Sequence, residues 1–256
     1  MPPWAAICEL GCATSSRAAI NPMRTPVLFC WSGGKDSALA LHCLLQNPEF
    51  EVTGLLTTVT QGFDRISMHG VRRELLHRQA QSIGLPVEEV LIPPNCDNLT
   101  YEARMAAAMH RFRERGVFNV AFGDIFLEDL RAYREAKLQP AGMTAVFPIW
   151  KVDTRELASR FLQAGFRAVA VCIDPRKLDP SFAGRELDAS FFRDLPSTVD
   201  PCGENGEFHT FVFEGPIFRQ PIRIKIGAVV ERDSFVFCDL LPVVNSSPVA
   251  QIGLAL

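Results

Sequence analysis

Over residues 27–122, apolar runs too short for helices alternate with stretches of helical periodicity, and this rhythm narrows the choice of fold more than any other feature. Val27–Trp31, Glu51–Thr58, Val87–Ile92 and Val117–Phe122 read as strands. Asp36–Gln46, Val71–Ile83 and Leu99–Arg115 read as helices. Ala38, Leu41 and Leu45 share a face of the first, while Gly84-Leu85-Pro86 and Gly116 stop the second and third. A strand such as Val-Leu-Phe-Cys-Trp, apolar on both faces, has to be covered on both sides. Parallel neighbours also need a long crossover, which a helix supplies and a hairpin does not. The expectation is an α/β fold: a parallel sheet with helices on both faces.

The rhythm breaks after about Leu138. Gln139-Pro140-Ala141-Gly142 reads as a linker, with a short strand near Val146 beyond it. Asp153 and Glu156 open a helix that runs to Ala164 and stops at Gly165. Arg167–Ile173 reads as a strand, Asp179–Gly206 as polar turns, and Phe208–Phe213, Ile222–Val230 and Phe235–Cys238 as further strands. Residues 24–140 are therefore expected to form the α/β domain and 141–240 a smaller α+β domain. A weakly patterned leader (1–23) and a turn-rich tail (241–256) flank them. Met23 is the expected biological start, because the first convincing strand begins at Val27.

Composition excludes several classes of function. The net charge of −3 provides no global basic field, which argues against broad coating of nucleic acid. No apolar run approaches the roughly 18 residues needed to span a bilayer. The 8 cysteines form no CxxC pair, so zinc ribbons and redox dithiols are not indicated. Reduced cysteines in a cytoplasmic protein are the expectation.

Ser32-Gly33-Gly34-Lys35-Asp36-Ser37 stands between the first strand and the first helix. Adjacent glycines let backbone N–H groups approach an anion without Cβ obstruction. The helix N-terminus adds its positive dipole end, Lys35 a full charge, and Ser32 and Ser37 hydroxyl donors. Asp36 would repel phosphate unless a cation lay between them, so bridging Mg²⁺ and capping the helix are its two readings. The pattern GxxxxGK[ST] is not satisfied, which separates this loop from a Walker A loop. The plainer alternative, an ordinary tight turn, rarely needs all six of these residues together.

This loop resembles the pyrophosphate-binding loop of the PP-loop ATP pyrophosphatases. Further segments narrow the resemblance. They are Ser67-Met68-His69-Gly70-Val71-Arg72 leading into a helix with Glu74, Leu75, Leu76 and Gln79, then Gly123-Asp124-Ile125, then Gly203-Glu204-Asn205-Gly206-Glu207-Phe208-His209-Thr210. In this order they are similar to the diphthine–ammonia ligase family, over about Val27 to Asp239. The resemblance implies a Rossmann-like (HUP-type) fold, in agreement with the alternation, and a reaction that splits ATP into AMP and pyrophosphate while amidating a carboxylate with ammonia. It implies ATP and Mg²⁺ as cofactors. The carboxylate acceptor would be the diphthine of elongation factor 2 in a true member and a small molecule otherwise. Two stretches depart from the family pattern: Phe126–Glu135, and Phe208-His209-Thr210 where Tyr-Glu-Thr is more familiar.

The site expected from these residues has three parts. Ser32, Gly33, Gly34, Lys35, Asp36 and Ser37 bind pyrophosphate, Asp36 holds the metal, Thr57 and Thr58 contact adenosine, and Arg72 neutralises phosphate charge. Lys35, Asp36, Asp124, Glu204 and Glu207 carry the catalysis, the last two beside a pocket for an amine, ammonium or metal. His69, Tyr133, His209 and Thr210 meet the acceptor. Plainer alternatives exist: a solvated helix start for His69 and Arg72, a helix cap for Asp124, a solvated turn for Glu204 and Glu207. Base modification of tRNA and nucleotide sensing without turnover are the competing functions. The first commonly needs a cysteine pair or an RNA-binding domain, and the second could dispense with Lys35 and Asp36. Oligomeric state is open, with a homodimer among the alternatives.

Overall fold

The computed structural model describes residues 24–62, 64–66 and 70–243. The expected leader with its start at Met23, His69, and the tail beyond Val243 lie outside them.

Strand β1 (Thr25–Cys30) sits in the middle of the first sheet, with β2 (Phe50–Thr60) parallel on one side and β5 (Asn119–Ala121) parallel on the other. Beyond β2 lies β4 (Val87–Ile92), and beyond β5 lies β6 (Thr144–Val146), both again parallel. A two-residue strand, β3 (Arg65–Ile66), turns back antiparallel on the end of β2. Alternation along β1 explains the helices on both faces. Val27, Phe29 and Trp31 point into a core shared with α1 (Lys35–Gln46) and α2 (Arg73–Ile83). Leu28 points into a second core with Ala108, Met109 and Phe112 of α3 (Asn98–Glu114).

The second sheet is antiparallel, in the order β8 (Phe208–Glu214), β7 (Arg167–Ile173), β10 (Phe235–Pro242) and β9 (Ile224–Arg232). Helix α5 (Thr154–Gln163), with Leu157 and Phe161, and the short α6 (Ala189–Asp194), with Phe191, feed the same core as α1 and α2. The two units thus share one apolar core, and β8 lies against the start of α1. The fold is α/β with a mostly parallel first sheet and an antiparallel second sheet at the C-terminal end.

Four details differ from the sequence expectation, the first being α6, a helix with Phe191 buried inside the Asp179–Gly206 stretch read as polar turns. The strand near Val146, assigned beyond a break at residue 140, pairs with β5 and completes the first sheet. β2 extends to Thr60, so Thr57 and Thr58 lie inside a paired strand rather than at its end. Helix α4 (Glu128–Leu138) was not anticipated because it lacks an apolar stripe, and only Leu138 is buried. It packs instead through guanidinium groups, Arg131 over Phe147 and Trp150 and Arg134 over Phe122. Among the described residues no helix is long and apolar enough to cross a membrane, and the six described cysteines are unpaired by disulfides.

Candidate active site

The strand order reverses at β1, and in an open parallel sheet such a reversal leaves a crevice beyond the carboxyl ends of the strands. A cavity of about 190 Å³ lies there, between the Ser32–Ser37 loop after β1, Asp124 after β5, and a turn before β8. Gly123 makes the close approach of β5 to α1 feasible. A Cβ on it would sit 2.9 Å from the Cα and N of Ser37, so any larger residue would push Asp124 away from the loop.

Gly34 caps α1 in an extended conformation without a side-chain partner, which leaves the first-turn N–H groups for other acceptors. The Gly34 N–H meets the Ser32 hydroxyl at 3.3 Å, and the Lys35 N–H donates to Thr210 Oγ1 at 3.0 Å. Ser32 Oγ donates to Ser37 Oγ, which donates in turn to the Gly34 carbonyl, each at 3.0 Å. The serine hydroxyls therefore hold the loop's shape while Ser32 also faces the cavity.

Lys35 is 2% exposed. Its ammonium donates to both oxygens of Asp36, at 2.9 and 2.7 Å, and to the Cys202 carbonyl, and it lies 5.4 Å from the centre of the Phe208 ring. Burial works against this charge, but Asp36 outweighs it and holds the lysine above its ordinary range. Burial raises the Asp36 carboxyl in turn, against the pull of Lys35. Asp124 also lines the cavity and is gripped by the Arg134 guanidinium, with one of two hydrogen bonds at 3.0 Å.

The opposite wall is a turn built by two carboxylates. Asp200 Oδ1 accepts the N–H of Cys202 at 2.8 Å and of Glu204 at 3.3 Å, while Oδ2 accepts the Thr154 hydroxyl at 2.7 Å. Glu207, 3% exposed, accepts the N–H groups of Asp200 and Asn205 at 3.0 and 2.9 Å. Glu207 thus organises the turn from inside, and Glu204 is the glutamate of this pair that reaches the cavity. Burial, reinforced by Asp36, pushes the Glu204 carboxyl up to about 7. Burial and then Lys35 push His209, also on the cavity wall, down to about 4, so its imidazole is neutral at physiological pH.

Ser32, Gly34, Lys35, Asp36, Asp124, Glu204, His209 and Thr210 therefore meet at one cavity. Other expected residues stand elsewhere. Gly33 turns inward with a φ of +81°. Thr57 and Thr58 pair with β4. Arg72 caps α2 and donates to Asp239 on β10 at 2.6 Å. Tyr133 is 40% exposed on α4, with its hydroxyl on Glu102 at 3.2 Å. Sequence reasoning missed Asp200, the Cys202 carbonyl, and Leu127 and Leu130, which close the cavity from the α4 side. Asp200-Pro201-Cys202-Gly203 has the composition of an aspartate-led turn, the one signal that pointed to Asp200.

Residues 23–144 match the family model of the diphthamide synthase N-terminal domain, and residues 153–240 that of its C-terminal domain. The chain is 26% identical over 233 residues to the diphthine--ammonia ligase of Schizosaccharomyces pombe, a match that covers 84% of this chain and 38% of that protein. The chain thus spans less than two-fifths of the curated relative it matches. With both domain models matched in order along one chain, over residues 23–144 and 153–240, the chain belongs to the diphthamide synthase (diphthine–ammonia ligase) family.

Proposed function

We propose that the chain is an ATP-dependent amide-forming ligase that adenylates a carboxylate and amidates it with ammonia. The observation that carries the reading is the buried Lys35, held at a helix N-terminus in the same cavity as Asp124 and Glu204. The β- and γ-phosphates take the Gly34 N–H and the Ser32 hydroxyl in place of their partners within the loop, and the α1 dipole and the lysine offset their charge. A carboxylate oxygen of the acceptor attacks the α-phosphorus, and the bond to the β-phosphate oxygen breaks, releasing pyrophosphate. Ammonia then adds to the acyl carbon and AMP leaves. Alignment and charge neutralisation supply most of the acceleration.

Ammonium has to lose a proton before it can attack. Glu204, titrating near neutrality, is suited to take that proton. Among the described residues no three metal-ligating side chains converge. Asp36, a carboxylate on the cavity wall, is the residue that would hold Mg²⁺, an ion usually bound by one or two carboxylates together with substrate phosphates. Bound there, it would add charge neutralisation at the leaving pyrophosphate. The relative's name specifies diphthine and ammonia, and we extend both to this chain, in a cytoplasmic setting.

The test is product analysis with ATP, ammonium and either diphthine-bearing elongation factor 2 or a panel of small carboxylates. AMP and pyrophosphate in step with amide are expected from the first acceptor. ADP and phosphate would overturn the chemistry, and amide from a small carboxylate alone would replace the acceptor.

A further inference from the structure

Gln79 on α2 is completely buried, yet its amide has three partners. Its Oε1 accepts the Trp31 indole N–H at 3.0 Å, and its Nε2 donates to the carbonyls of Gly33 at 3.1 Å and Val212 at 2.6 Å. The indole can only donate and the two carbonyls can only accept, so the amide has a single satisfactory orientation. The Gly33 carbonyl accepts a second hydrogen bond, from the Val212 N–H of β8 at 2.9 Å.

A peptide unit is planar and trans, with its C=O and N–H pointing in opposite directions. Gln79 and Val212 hold the Gly33 carbonyl inward, so the N–H of the same peptide, which belongs to Gly34, is turned outward, onto the Ser32 hydroxyl that it meets at 3.3 Å on the cavity wall. Gly34 lines the cavity and Gly33 does not. The glutamine also occupies the space a side chain at residue 33 would need, since a Cβ there would lie 2.8 Å from Oε1, and the φ of +81° independently favours glycine.

We propose that Gln79 is a positioning residue for pyrophosphate: it fixes the Gly33–Gly34 peptide so that the Gly34 N–H faces the outer phosphates of the nucleotide. The assignment rests on the reading of the loop as the pyrophosphate site. It ties that site to the second unit, because β8 holds the same carbonyl. Gln79 touches neither substrate nor reacting atoms, so its effect must depend on whether a ligand carries the outer phosphates.

Calorimetric titration of full-length Gln79→Met with ATP, pyrophosphate and AMP, alongside a thermal melt, tests this. Loss of one N–H donor to a charged group is expected to weaken ATP and pyrophosphate about tenfold. AMP, which lacks the outer phosphates, should stay within about twofold of wild type. Gln79→Glu is the second variant, measured in the same way should the methionine variant not fold. It keeps an acceptor for Trp31 but sets a carboxylate oxygen against the Gly33 carbonyl, and its selective loss should be at least as large. Equal weakening of all three ligands would make Gln79 merely structural, and unchanged affinities would remove its role; either overturns the proposal. Wild-type protein that binds neither ATP nor pyrophosphate overturns instead the site reading on which it rests.

Discussion

One wall of the cavity is a single run of chain, Ser32–Ser37, whereas the facing wall, Asp200–Thr210, reaches it from a second sheet more than 160 positions away. The first holds its shape through short-range bonds, Ser32 to Ser37 and Ser37 to Gly34. The second is organised by Asp200 and Glu207, whose carboxylates satisfy the N–H groups of the turn. The walls meet where the Lys35 ammonium reaches the Cys202 carbonyl and the Lys35 N–H reaches Thr210. In the proposed mechanism charge neutralisation falls to the local wall, and proton transfer to the wall that depends on tertiary contacts.

Lys35→Met strikes the junction and should have the largest effect. Pyrophosphate release should fall by about 10³ or more, as expected when a fixed charge facing a leaving group is lost. The Asp36 carboxylate, 24% exposed, would be left without its partner, at a cost of about 1–2 kcal/mol once its partial hydration is allowed for, read by denaturant titration. Adding Asp36→Asn should recover most of that stability and none of the activity. Recovery of both would mean that Lys35 serves only its ion pair.

Asp200→Ala loosens the far wall without touching the near one. Two turn N–H groups lose their acceptor, each worth about 1–3 kcal/mol when left unsatisfied in a buried setting. AMP formation should drop on the order of 10²-fold. Asp200→Asn, which keeps one acceptor oxygen, should lose less. If both variants matched wild type, the far wall would not be organised by Asp200 and the contrast between the walls would fail.

The contrast also explains what could be read from the sequence. The parallel sheet and the Ser32–Ser37 loop were legible because apolar runs, adjacent glycines and a helix start are written in neighbouring residues. Helix α4 was not, since Arg131 and Arg134 anchor it by stacking on rings distant in sequence, and its apolar pattern is blank. Glu204 and Glu207 looked equivalent on either side of Gly206. Only the fold of the turn separates an inward carboxylate from one at the cavity. Arg72 read as a phosphate ligand because its sequence is silent about Asp239 on β10.

Glu204→Gln sharpens the comparison through pH. The folded-state carboxyl titrates at about 7, above its ordinary 4.5. Between these values the folded chain holds a proton that the unfolded chain releases, so stability falls as pH rises through that window and stays lower above it. The variant should lack this dependence and exceed wild type at pH 8 by about 2 kcal/mol, after allowance for partial exposure of the group. Wild-type amide formation should climb through pH 7. In the variant, with rates referred to free ammonia, it should be flat and roughly 10²-fold lower at pH 8, as expected when a general base is removed. An unchanged pH profile would take the proton-transfer role away from the far wall.

Tyr133→Phe should have the smallest effect, and it tests whether two walls are enough. The hydroxyl reaches Glu102 on α3 at the exposed face of α4, while Leu127 and Leu130 close the cavity from the other end of that segment. An exposed hydrogen bond of this kind contributes within about 0.5 kcal/mol, so the melting temperature should barely move. Amide formation should stay within about twofold, because the side chain does not line the cavity. A tenfold loss confined to acceptor turnover, with ATP affinity intact, would instead make α4 a third wall. The acceptor would then be read by Phe126–Glu135, one of the two stretches whose sequence differs from the more familiar pattern.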